Sequence, residues 1–162
     1  MALATSDGVE TALARFDRLA SRARREIATT ASRLVEAIVG KIRLEKLSGE
    51  VLNARSGALR DSITGDVEAQ GETILASIGS IGDIKYAAIQ EYGGTTSAHE
   101  ILPSKSNVLA FISGGQGRFV KRIEHPGSVI PERSYLRSSL DEMRDEIIAE
   151  LTAAAANAWE ET

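Results

Sequence analysis

The chain contains no cysteine. A disulfide framework, a thiolate nucleophile and a thiolate zinc site are all excluded, and several enzyme classes go with them. The absence fits a reducing cytosol. Aromatic residues make up only 4% of the 162 residues, so the core has to be built mainly from Leu, Ile, Val and Ala. The two histidines, His99 and His125, do not stand at a metal-ligand spacing such as one helical turn. No serine occupies a Gly-x-Ser-x-Gly elbow, which leaves a Ser/His/Asp hydrolase without its anchor. Gly114-Gly115-Gln116-Gly117 lacks the Gly-Lys-Ser/Thr that completes a phosphate loop. The reading is therefore of a protein without catalytic residues, metal or cofactor.

No stretch approaches the roughly 20 apolar residues needed to cross a bilayer. Met1 to Gly8 does not read as a basic segment leading into an apolar secretory core. The expectation is a soluble protein kept in the bacterial cytoplasm, with no membrane partner. An excess of basic charge is missing too: 19 Lys and Arg stand against 23 Asp and Glu, a net charge of -4. That balance argues against wholesale wrapping of nucleic acid, which needs many phosphate-neutralising side chains, and leaves room only for a local basic patch.

What the chain does have is an ordinary globular composition, 43% hydrophobic and 26% charged, at the size of one domain. A single domain is expected, with an N-terminal helical region over residues 1–47 and an α+β core over 48–162. Val9, Leu13, Phe16, Ala20, Ala23, Ile27, Ala31, Leu34, Ile38 and Ile42 advance by threes and fours, the period of a helix. Thr5, Ser6 and Asp7 are candidate N-caps, and Gly40 is a place for the helix to loosen or end. Unbroken, this helix would be about 50 Å long, more than one domain needs, so part of it is free to project or to bind a neighbour. Its other side carries Arg15, Arg18, Arg22, Arg24, Arg25 and Arg33. Glu10, Asp17, Glu26 and Glu36 can balance them as an ordinary solvated face, and a nucleic acid or acidic partner is the alternative.

Ser48-Gly49 and Ser56-Gly57 mark turns, and Ser56 can cap a short helical turn at Ala58-Leu59-Arg60. Ile63 to Glu68 and Thr73 to Ile78 alternate as two strands of a hairpin turning near Gln70-Gly71. A short helix over Tyr86 to Tyr92 ends at Gly93-Gly94, because glycine takes the left-handed conformation that closes a helix. Ile101-Leu102-Pro103 reads as a brief extended piece. A second hairpin joins Val108 to Ile112 with Arg118 to Ile123 through a mobile tip, Ser113 to Gly117. Pro126 and Pro131 keep the following segment extended. Ser134 opens a last helix whose stripe is Leu136, Leu140, Met143, Ile147, Ile148 and Leu151, continuing to Trp159. Asp141, Glu142, Asp145, Glu146 and Glu150 lie on its solvated face with Arg137 and Arg144, where charge pairs stabilise by only about 0.2–0.5 kcal/mol. The fold class is thus α+β: a long N-terminal helix, an antiparallel sheet from two β-hairpins with a short intervening helix, and a C-terminal helix packed on the sheet.

Four short motifs occur in order. Gly57, Leu59, Arg60, Ser62 and Ile63 supply a Gly-x-Leu-Arg-x-Ser-Ile segment; Gly79-Ser80 precedes Tyr86-Ala87-Ala88-Ile89 and Glu91-Tyr92-Gly93-Gly94. His125-Pro126-Gly127 follows, then Pro131 to Leu136 ahead of the final helix. Together, across roughly two-thirds of the chain, they resemble a family of tailed-bacteriophage proteins described as minor tail, tail-completion or virion-morphogenesis proteins. The resemblance implies a structural phage or prophage protein at the head-tail junction or upper tail, found in the virion after a stay in the host cytoplasm. It implies self-association into a ring, six copies being one arrangement, and neighbouring neck, connector or tail-tube proteins as partners. Transient contact with genome DNA in the ring lumen follows from the same picture.

Within that picture the interface candidates are Arg118, Phe119, Lys121, Arg122 and His125 on or beside the second hairpin, with Tyr86, Tyr92 and Tyr135 as amphipathic aromatics that serve folds and interfaces alike. Two hairpins with open edges offer sites that a neighbouring subunit can extend. The long, alanine-rich N-terminal helix departs from many members of that family, and it suits either an external brace or a dock for a neck protein. Two other readings compete. One is a DNA-binding module using Arg15, Arg18, Arg22 and Arg25. The other is an enzyme built around a pocket at His125 and Glu132.

Overall fold

A computed structural model describes residues 6–52, 56–104 and 106–160. The chain forms two compact units, Met1–Ala87 with Ser134–Thr162, and Ala88–Arg133. The N-terminal helix therefore shares a unit with the first hairpin and the C-terminal helices, and the expected division at residue 47 falls inside that unit.

The first unit is organised on α1 (Ser6–Lys41). Ser6 and Asp7, expected as caps, lie in its first turn, and Thr5 lies outside the described residues. The helix runs through Gly40 without ending there and passes into a wide, π-type segment, Ile42–Glu50. That segment closes where Gly49 takes φ 133°, with the amides of Val51 and Leu52 both donating to the Lys46 carbonyl. A short helix, α2 (Ala58–Ser62), leads into β1 (Ile63–Gln70), which pairs antiparallel with β2 (Thr73–Ser80) from Ile63↔Ser80 to Gln70↔Thr73. The expected hairpin is present with its turn at Gly71-Glu72 and both strands longer by two residues than their pattern suggests. The Ser62 and Ser80 hydroxyls, 2.7 Å apart, fasten its open end.

The last helix comes in two pieces, α4 (Leu136–Glu142) and α5 (Arg144–Glu160), broken at Met143. The Ser134 hydroxyl accepts the Ser138 amide at 3.2 Å, so the start expected at Ser134 is local to the right turn. The buried stripe matches the expected one at Leu136, Met143, Ile147 and Leu151 and departs from it elsewhere. Leu140, Ile148 and Trp159 are exposed, whereas Ile147, Leu151 and Ala154 are half-buried and Ala158 is buried. These four positions step by four, three and four, and their alanines let α5 approach α1 closely; Ile148 and Trp159 stand next to that stripe, off its face. The α5 helix therefore packs on α1. Ion pairs fix the direction: Arg33 pairs with Glu150 on α5, and Lys41 with Glu142 at the end of α4, 3.0 Å away and just before α5, so the last helix runs antiparallel to α1.

Ile38, Ile42, Leu47, Leu59, Ile63, Tyr135 and Met143 form the buried cluster, with Val39, Leu52, Ile78, Ile84, Ala87, Leu136 and Ile147 against it. It is aliphatic apart from one tyrosine and one methionine, in keeping with the composition.

The second unit begins in α3 (Ala87–Tyr92), which ends at Gly93 with φ 68°. Its strands then pair two by two. Thus β3 (Gly94–Thr95) pairs with β8 (Val129–Ile130), β4 (His99–Ile101) with β7 (Ile123–His125), and β5 (Leu109–Ser113) with β6 (Gln116–Val120). The expected mobile tip is instead a two-residue turn, Gly114-Gly115, with φ 60° and 78°. Both values are positive, as a type I′ turn demands, and that turn matches the twist of the flanking strands. The fold is α+β with both expected antiparallel hairpins present, as separate two-stranded ladders and not one sheet, and Ile123 leaves the second hairpin to pair with Ile101.

No hydrophobic side chain of residues 88–133 is fully buried among the described residues. What holds this unit is close backbone contact. A Cβ on Gly93 would stand 2.7 Å from the Glu132 nitrogen, and one on Gly127 would stand 2.2 Å from the Thr96 carbonyl oxygen. The Arg133 amide donates to the Gln90 carbonyl at 3.0 Å, and the Thr96 amide to that of Ser128 at 2.9 Å.

Candidate interaction surfaces

The second hairpin presents its strongest apolar character on one face. In its register Ala110 stands opposite Phe119 and Ile112 opposite Gly117, so these residues share a side. Ile112 is 80% exposed and Phe119 72%, with Lys121 exposed two residues beyond Phe119. Arg118, opposite Phe111, projects from the other face. Each strand of this two-stranded ladder has one edge outside the ladder's own pairing. The hairpin thus combines exposed apolar area, surface cations and strand edges, the features that a docking surface uses.

The other expected interface residues divide. Arg122 reaches Glu100 at 3.3 Å. His125 is half-buried and stacks on His99, its cross-strand partner, with ring centroids 5.0 Å apart. The His125 Nδ1 accepts the Gly127 amide at 3.0 Å, which places the proton of its neutral form on Nε2; the His99 Nδ1 lies 3.1 Å from the Ser97 carbonyl. Both rings thus have turn-forming roles, and Glu132 is exposed rather than enclosed with His125. Tyr86 and Tyr92 are at the surface. Tyr135 is corrected: it is 1% exposed, and its hydroxyl donates to the Ala87 carbonyl at 3.3 Å. Of the two uses open to an amphipathic aromatic, fold and interface, Tyr135 serves the fold, because the aliphatic cluster closes round it.

On α1, Arg15, Arg18 and Arg25 are exposed and Arg22 is half-buried. Two further arginines of the basic group are engaged within the unit, Arg24 with Glu72 at 2.7 Å and Arg33 with Glu150. The apolar stripe on the opposite side changes state along its length. Ala31, Leu34, Ile38 and Ile42 are buried and Ala23 and Ile27 half-buried, but Val9, Leu13 and Phe16 are 59%, 59% and 60% exposed. The antiparallel pairing of α5, extended from Arg33–Glu150 at 1.5 Å per residue, brings Ala158 level with the turn near Arg25, so α5 runs out before the first turns of α1.

One arrangement escaped the sequence reading. Lys46, in the wide segment, is 4% exposed and held by Glu50 at 2.6 Å and Glu142 at 2.7 Å, while Lys41 bridges Glu45 at 2.8 Å and Glu142. The hydrogen bonds from Lys46 and Lys41 hold the Glu142 carboxyl below its ordinary range, and those to the carboxylates raise both lysines. The Lys41–Glu45 and Lys46–Glu50 spacings of four were legible; the shared partner on α4 was not. This cluster fastens helices, and no group of three or more metal-ligating side chains occurs among the described residues.

The motif residues behind the phage-family resemblance occupy structural positions. Gly57 precedes α2 with φ 76°, Gly93 ends α3, and Tyr135 anchors the core. No family model matches the chain, and neither a curated protein nor a solved structure does.

Proposed function

We propose that the protein is a structural component of a tailed phage or prophage, acting in assembly at the head-tail junction or upper tail through contacts with copies of itself and with neighbouring virion proteins. The observation that carries this reading is the second hairpin: a ladder of only two strands, with Ile112 and Phe119 exposed on one face and Arg118 and Lys121 at the surface, in a unit without a buried apolar side chain among its described residues. A two-stranded hairpin is marginally stable alone in water, and further strands or a packed face stabilise it. A neighbouring subunit supplies both. Contacts of that kind between unlike surfaces close into a ring when the rotation permits. The four ordered motifs support the same assignment, and the phage setting of the proposal rests on them.

The test is deletion of the gene from the phage or prophage genome that carries it, followed by induction and electron microscopy of the particles. Filled heads with unjoined or abnormal tails, restored when the protein is supplied in trans, are the expected result. Normal infectious particles would reject the proposal. A DNA-binding role for Arg15, Arg18 and Arg25 is the second reading, favoured by their exposure on α1. It requires DNA affinity that falls steeply with salt, the signature of counterion release.

A further inference from the structure

The spacing of the α1 stripe differs between its exposed and its buried halves. From Val9 through Leu13, Phe16, Ala20 and Ala23 to Ile27 the steps are four, three, four, three and four, a strict repeat of 3.5 residues. At Ile27 to Ala31 a second step of four follows, and the stripe goes on through Leu34, Ile38 and Ile42 at a wider average. The first pattern is the seam of two-helix supercoiling, and the second suits a helix lying against a globular body. The change falls where burial becomes complete, Ala23 and Ile27 before it being half-buried. Ala31, Leu34 and Ile38 are covered by the chain's own elements, while the seam residues Val9, Leu13 and Phe16 stand in solvent.

We infer that this seam is covered by the same seam of a second copy, in an antiparallel helix pair. In the antiparallel register that spans the whole repeat, Val9 meets Ile27 of the partner subunit, Leu13 meets the partner's Ala23 and Phe16 the partner's Ala20, and the reverse. Every layer sets a large side chain against a smaller or matching one, so the helices close without voids. The overlap is about 27 Å long at 1.5 Å per residue. Its length is limited at both ends by the same feature: Ala23 and Ile27 are already half-buried by the chain's own elements, and the seam ends at Ala31, which is buried.

Charge selects the orientation. Glu10, Asp17 and Arg24 follow the seam along one flank at seven-residue intervals. Antiparallel pairing brings Glu10 beside the partner's Arg24 twice, at the cost of one Asp17 contact with its own equivalent near the two-fold axis. The Arg24 guanidinium already holds Glu72, which is almost fully exposed, and its fork of donors can serve both carboxylates. Parallel pairing offers no such opposite charges, because the facing flank holds Ala12 and Leu19. It would also bring two globular bodies to the same end of the pair. Across the antiparallel axis Leu19 meets the partner's Leu19 and extends the apolar contact.

This pairing is two-fold and does not depend on the ring proposed above. The test uses the absence of cysteine. Full-length Leu13→Cys and Ala23→Cys proteins, mixed and oxidised, should give a mixed disulfide far more readily than either gives alone, and wild type should sediment at twice its 17.3 kDa chain mass. Phe16→Glu should weaken the pair at least about tenfold, a change of 1.4 kcal/mol or more, with an unchanged circular dichroism spectrum. Asp17→Asn should tighten it. A monomer at all concentrations to about 100 µM, where weak pairs are populated, overturns the inference. So does a dimer indifferent to Phe16→Glu, or self-disulfides from Leu13→Cys alone at the rate of the mixture, which would mean a parallel pair. A larger ring lacking the mixed disulfide overturns it as well, and leaves the ring reading in place.

Discussion

Gly65 on β1 lies so close to Val35 on α1 that a Cβ at position 65 would stand 2.2 Å from the Val35 Cγ1. Real side chains do not tolerate that distance, so the hairpin reaches the helix because residue 65 has no side chain. Gly65→Ala should destabilise the first unit by about 1–3 kcal/mol, the usual cost of overpacking. Val35→Ala removes the obstructing methyls, and the double variant should lose less than the two single losses added together. Denaturant unfolding of the four proteins measures this; strictly additive losses would mean that the two residues do not meet.

Tyr135 should behave as a core residue. Tyr135→Phe removes one hydrogen bond to the Ala87 carbonyl and should cost about 1 kcal/mol. Tyr135→Ala empties a buried aromatic site and should cost about 3–5 kcal/mol. Thermal or denaturant unfolding reads both, and an unaffected alanine variant would return Tyr135 to the surface.

The Lys41, Lys46 and Glu142 cluster gives stability a pH dependence with a defined sign. Because the folded Glu142 carboxyl is held below its ordinary value of about 4.3, its contribution is full above that value and is lost as pH falls through the lower folded one. The raised lysines contribute fully below their ordinary value of about 10.4 and lose that contribution only as pH rises beyond it. Glu142→Gln should therefore lower the melting temperature at neutral pH, and the gap from wild type should close on acidification. A gap independent of pH between 7 and 2 would remove Glu142 from the cluster.

Ile112→Ser and Phe119→Ser alter exposed side chains and should change stability by no more than about 0.5 kcal/mol. Under the assembly proposal the same variants should fail to restore tails to a deletion phage. Full complementation by the double variant would take the hairpin face out of the assembly contacts.

Much of the fold was legible because it rests on local periodicity. The α1 stripe, the Ile63 to Ser80 hairpin and the glycine end of α3 follow from residues close in sequence. Those parts that depend on distant partners were not. The α1 stripe reads as one continuous helix, and its change of spacing after Ile27 does not by itself say that only the second half is covered; that depends on where α5 ends. The pairing of Thr95 with Val129 joins short segments with no strand pattern of their own, and that of Ile101 with Ile123 joins two extended pieces whose partnership their sequences do not announce. The burial of Tyr135 and Lys46 likewise came from elements remote in sequence. Of the expected interface residues, Phe119 and Arg118 are exposed, while His125 and Arg122 have partners within their own unit.

The wide segment after α1 sets the angular phase of everything that follows it. Ile42 and Leu47, 0% and 2% exposed, are five residues apart and yet both enter the core, which an ordinary helix would place about 140° apart. Five is close to a full revolution in a coil of π type and well past one in an α-helix. The extra residue per turn thus works as an angular spacer. Deleting one residue between them would let an α-helix continue and still point both inward, but Lys46 would exchange places with its neighbours and lose its two carboxylates. The length of this stretch is therefore as much a specification as its composition: its amino acids can be exchanged for others of like size more safely than their number can be changed.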